Sequence, residues 1–158
     1  MINFHFGSYG AGTPKRNEYA HKVAHTDIAP YAFMARLPQR LLSHPKGGAL
    51  AFTGQWEQAW GCSSIQKRAE MHRGVFESLL VHLIAGYPVG VAIDRINERY
   101  AELVTELSVE FEDIKFGKMP DELELAGLWT ATNDARSYMI IGDPAVRLPA
   151  STTGVKQP

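Results

Sequence analysis

Eight apolar residues, Val89, Ile93, Ile96, Tyr100, Leu103, Leu107, Phe111 and Ile114, step along the chain by three or four, with charges on the opposite side. That is the stripe of a long amphipathic helix, and such a stripe is stable only when something covers it. A second stripe precedes it: Ile65, Ala69, His72, Phe76, Leu79, Leu80 and Leu83, ended by Gly86 and Pro88. Asp121 to Ala131 reads as a third helix. Short apolar runs supply the partner surface. Ile2, Phe4 and Phe6 alternate with Asn3 and His5, as in a strand. GGALAFTG (47–54) reads as a buried strand between glycines, and SYMIIGDP (137–144) as a final strand ending in a turn. Between the first two runs, RNEYAHKVA (16–24) reads as a short helix. YAFMARLPQRLLSH (31–44), after Pro30, reads as a helix kinked or restarted at Pro38.

Strands with helices between them predict an α/β fold with about three mostly parallel strands and flanking helices. Three strands make a narrow sheet, against the usual four to six or so. A strand also opens at residue 2. The expectation is therefore part of a single domain over residues 1–148, followed by a small, polar tail at 149–158 that frays. A chain of 158 residues suits one domain. Its formal net charge of −1 carries no basic field for nucleic acid or an anionic membrane. The lone cysteine, Cys62, forbids an internal disulfide. The first residues lack a basic, apolar leader, and no apolar run reaches bilayer length. A cytoplasmic protein is expected.

Chemistry concentrates in HFGSYGAGTP (5–14), where a strand runs into glycines with Ser8 at the tip. A nucleophile elbow needs small residues two before and two after its serine. Gly10 satisfies one side, Phe6 violates the other, and GAGTP prevents a direct run into a helix. A phosphate loop would need a lysine at Walker spacing or glycines opening a helix, and neither is present. The plainest reading is a tight turn whose serine bonds the backbone.

The remaining candidates are weaker. His21 and His25 would share a helical face, but no HExxH or other ligand spacing surrounds them, so no metal is expected. His72 reads as a core residue, His44 as a helix-end residue, and His5, three before Ser8, as a poor base for it. Cys62 has no cation beside it and reads as structural. Trp56, Trp60 and Trp129 read as packing residues, and Asp143 as a turn residue rather than a partner of Arg147.

Taken together, four segments resemble the C-terminal half of a caspase-like cysteine-peptidase domain of the CHAT and gingipain-type branch. HFGSYGAGTP resembles that branch's strand and CYGAGTP nucleophile loop. Residues 28–61 resemble its next helix, strand and loop, VGVAIDRINERYAEL (89–103) a later helix, and IIGDPAVRLP (140–149) its closing strand. The resemblance implies a three-layer sandwich of which this chain is an incomplete half. It implies peptide or protein substrates, no cofactor, and a Cys–His dyad. The nucleophile position is Ser8 here, and the seven residues before it hold no counterpart of the upstream catalytic histidine. Ser8 is either a natural serine or a replaced cysteine. By resemblance its amide belongs to an oxyanion hole, and Tyr9, Gly10, Gln55, Trp56 and Glu57 border the substrate groove. An open sheet edge predicts an upstream segment, a partner chain or self-association to complete it. The expected function is an inactive cysteine endopeptidase portion, or a pseudo-protease module that binds without cutting.

Overall fold

The computed structural model describes residues 1–16, 27–60 and 66–149, with side chains of the last stretch from residue 73 onward. Of the expected helix at 16–24 only Arg16 is described, and it forms an antiparallel bridge with Asp27; the rest of that helix, His21, His25, Cys62, the side chain of His72 and the tail from residue 150 lie outside the described residues.

Among the described residues, two sheets and four helices form. The main sheet has three strands in the order β1 (Ile2–Phe4), β4 (Ala51–Gln55), β5 (Tyr138–Gly142). A two-residue antiparallel pair, β2 (Gly12–Thr13) with β3 (Phe33–Met34), follows the first strand. The helices are α1 (Arg36–Leu42), α2 (Gln66–Ile84), α3 (Val89–Lys115) and α4 (Glu122–Arg136). The molecule is thus mixed α/β, as its pattern predicts. Among the described residues no helix is long and apolar enough to cross a membrane.

All five residues of β4 are buried, which makes it the centre of the fold. Its alternation splits the core. Ala51 points to one face with Ile2, Phe4, Tyr138 and Ile140, where Leu79 and Leu83 of α2 and Val89, Ala92, Ile93 and Ile96 of α3 cover it. Phe52, fully buried, points to the other face, where His5 stacks on it at 6.1 Å between ring centres. Helix α1 packs along β4.

Expected helix 31–44 begins only at Arg36, because Phe33 and Met34 pair with Thr13 and Gly12. Pro38 then falls in the first turn, where an amide would lack an intrahelical partner anyway, so no kink is needed. Helices α2 and α3 end alike. Gly86 (φ 85°) and Gly117 (φ 103°) take the left-handed conformation. Tyr87 N bonds His82 O and Lys118 N bonds Asp113 O, each at 3.0 Å, which closes a Schellman motif after each helix.

The sheet departs from the expected mostly parallel order. β1 and β4 are parallel, but β4 and β5 are antiparallel, with Gln55 opposite Tyr138 and Ala51 opposite Gly142. The cause is helix length. α3 has 27 residues, about 40 Å at 1.5 Å per residue, whereas a five-residue strand spans about 17 Å. α3 starts at the amino end of β4, where Val89 N bonds Val146 O, and overshoots the other end. α4 packs back along the overshoot, in a second core of Leu103, Leu128 and Ala135 flanked by Tyr100, Leu107 and Ala131. It therefore delivers the chain to the carboxyl end of β4, and β5 must run downward. The α3–α4 hairpin consequently projects past the sheet by about 20 Å.

Candidate functional site

Parallel strands present ligands at their carboxyl ends, where successive loops diverge. For β1 and β4 those loops are residues 5–11 and 56–60, and the structure laces them together. Ser8 Oγ accepts from Ala59 N at 2.9 Å and donates to Ala59 O at 3.4 Å. Tyr9 N donates to Glu57 O at 3.0 Å, and Ala11 N to Gln55 O at 2.8 Å. The six sequence candidates Ser8, Tyr9, Gly10, Gln55, Trp56 and Glu57 thus occupy one place.

The turn that holds Ser8 is wound around an imidazole. Gly10 N bonds Gly7 O at 3.3 Å, and a Cβ at Gly10 would lie 2.1 Å from His5 Nδ1. Only glycine fits there. His5 Nδ1 is buried without a hydrogen-bond partner among the described residues. Its ring faces Gly10 rather than Ser8, consistent with a supporting role. Tyr9, next to Ser8, is the one non-glycine residue with positive φ among the described residues, at 61°. A left-handed tyrosine costs about 1–2 kcal/mol and persists only where neighbours impose it. Here the imposed contact is its amide on Glu57. Burial, and then the Glu57 carboxylate, raise the Tyr9 phenol above its ordinary value.

The three residues of the second loop differ in what they present. Gln55 is 3% exposed, and its Nε2 donates to Asp134 O at 3.4 Å. Glu57 has a buried carboxylate whose Oε2 accepts from Arg136 Nη2 at 3.1 Å. Both side chains brace the floor of the site rather than face solvent, because each is drawn inward by a partner from α4. Trp56 stays partly exposed, while its amide bonds Ser137 O at 3.1 Å. Tyr9 is half-buried here, and Trp56 and Trp60 are exposed.

The sequence reading missed Asp134 and Arg136. Buried Asp134 accepts the Trp60 amide at 2.9 Å through Oδ1, fixing the loop at that residue. Burial, and then the charge of Asp134, hold the neighbouring Tyr138 phenol far above its ordinary range. The available signal was a charged run, NDAR, in the last turn of a helix that feeds a strand directly. Among the described residues the Ser8 hydroxyl has the Ala59 amide and carbonyl as its partners, and neither is a base. Asp143 has the expected turn role: its Oδ1 accepts Ala145 N at 2.8 Å, while Arg147 bonds Gly86 O.

Among the described residues no group of three or more histidine, cysteine, aspartate or glutamate side chains gathers to hold a metal. A cavity of about 280 Å3 opens between α2 and α3, lined by Arg95, Arg99, Glu98 and Glu102. Its arginines already pair with those glutamates, Arg95 with Glu98 at 2.5 Å and Arg99 with Glu102 at 2.8 Å, so it offers no net charge to a ligand. No protein-family profile, curated protein or solved structure matches the chain.

Proposed function

We propose that this chain carries the nucleophile side of a caspase-like cysteine-peptidase domain of the CHAT and gingipain type, with serine at the nucleophile position and no peptidase activity as it stands. The observation that carries the reading is the placement of Ser8. It lies just beyond the carboxyl end of a strand, exposed, and locked to the loop after the neighbouring parallel strand. A cysteine there would present its sulfur where the two joined loops meet, close to Tyr9, which is where an extended peptide could lie. A serine hydroxyl without a base is a far weaker nucleophile than a thiolate.

A second reading is favoured by the Ser8–Ala59 bonds. They employ the hydroxyl in holding the loop, so the groove binds a protein segment without cutting it. Peptide or protein ligands, a cytoplasmic setting and completion of the sheet by another segment belong to both readings.

One experiment separates them. Ser8→Cys is prepared and mixed with a separately supplied upstream segment bearing a histidine–glycine pair, and a peptide library is offered. Turnover by the mixture supports the peptidase. Saturable binding of library members by both the unmodified chain and the Ser8→Cys variant, without turnover, supports the module. Labelling of Ser8 by a fluorophosphonate in the unmodified chain would overturn both in favour of a serine hydrolase.

A further inference from the structure

The far end of the α3–α4 hairpin is both acidic and apolar. Residues 106–124 contain seven acidic residues and two lysines, a net of −5. Within the same stretch Val109, Phe111, Phe116, Met119 and Leu123 are 50–88% exposed. Glu106, Glu112 and Glu122 make no ion pair among the described residues, while Lys118 is held by Glu110 and Asp113. The chain as a whole carries only −1, so the rest of it carries +4. That excess equals the charge of residues 1–46, which contain six basic and two acidic residues.

A complementary surface lies in that basic part. Tyr31, Phe33, Met34 and Leu37 are 43–66% exposed around β3 and the start of α1. Arg36 and Arg40, on the same outward face of α1 as Leu37, make no ion pair among the described residues. Two exposed apolar patches of opposite charge on one molecule are ready to meet between copies. We propose that the acidic hairpin tip of one chain docks on the basic Tyr31–Arg40 surface of a second copy.

Charge selects this occupant over others. Two tips facing each other would repel, and an anionic lipid surface would repel the tip. The two patches differ, so the contact is head-to-tail and leaves one free patch of each kind on every dimer. Association should therefore continue past the dimer as concentration rises. It should also weaken steeply with salt, because exposed charges are screened beyond a few ångströms at high ionic strength. Pairing through the edge of β1 that no described strand occupies would instead depend little on salt. It is thus a separate event from anything the peptidase reading requires.

The test is sedimentation velocity on the full chain at low and high salt. The expected result is concentration-dependent species larger than a dimer at low salt, dissolving to monomer at high salt. Arg36→Glu with Arg40→Glu, and separately Glu112→Lys with Glu122→Lys, should each reduce the association constant by more than about tenfold. Mixed one to one, the two double variants present opposite charges again and should re-associate. That regain also shows that both are folded. A chain monomeric at low salt overturns the proposal, as does association that survives both reversals, or a mixture of variants that stays monomeric. A monomer that captures a cationic amphipathic peptide on Phe116 and Leu123 also overturns it, by assigning the tip to a foreign partner.

Discussion

At the scale of single residues, the turn around His5 is the most tightly specified place in the molecule. Gly10→Ala puts a methyl where the imidazole already is, so ring or turn must shift. A loss of about 1–3 kcal/mol is expected in urea denaturation, and His5→Ala in the same background should recover part of it. The Glu57–Arg136 pair predicts an asymmetry. Arg136→Ala strands a buried carboxylate, whereas Glu57→Gln leaves a neutral amide beside a partly exposed arginine. The arginine variant should be the less stable, by about 1–2 kcal/mol after allowance for the solvent that reaches Arg136. The loop around Ser8 is legible in the sequence because a strand running into glycines marks a turn, whereas Tyr9, Gly10 and the Gln55–Glu57 segment entered only through the resemblance. Asp134 and Arg136 are not legible, because they meet the 56–60 loop across more than seventy residues of intervening chain.

At the scale of elements, apolar spacing locates three helices and three strands, and it misjudges ends where polar groups are satisfied locally. α4 continues to Arg136 instead of stopping at Ala131. Thr130 and Thr132 hide their hydroxyls on the carbonyls of Ala126 and Leu128, each at 2.8 Å, so residues that look like a loop stay helical and buried. The β2–β3 pair leaves no periodic trace, since two residues are too few to alternate. The start of α4 is held by Asp121, whose carboxylate accepts from Leu123 N and Glu124 N at 3.0 and 3.1 Å. Asp121→Ala should cost about 1 kcal/mol. The loss should appear as faster amide exchange confined to the first turn of α4 and the hairpin loop.

At the scale of the whole molecule, alkaline pH should act most strongly through Tyr138 among the described residues. The Tyr138 phenol is raised above its ordinary value of 10.0 by burial and then by Asp134. A group whose pKa is higher folded than unfolded stabilises the fold fully below the unfolded value and loses that contribution as pH rises past it. Stability should therefore be flat below about pH 9 and fall above about pH 10. In an ultraviolet titration, Tyr138 should ionise only together with unfolding, and Tyr138→Phe should remove that part of the slope. The antiparallel β5 has a consequence in time. Its partner β4 lies more than eighty residues earlier in the chain, with three helices between them. During synthesis β4 can zip to β1 early, but its second edge stays open until residue 142 has emerged. Distant pairings of this kind fold slowly, so the nascent chain passes through a long interval with its most buried strand half-dressed.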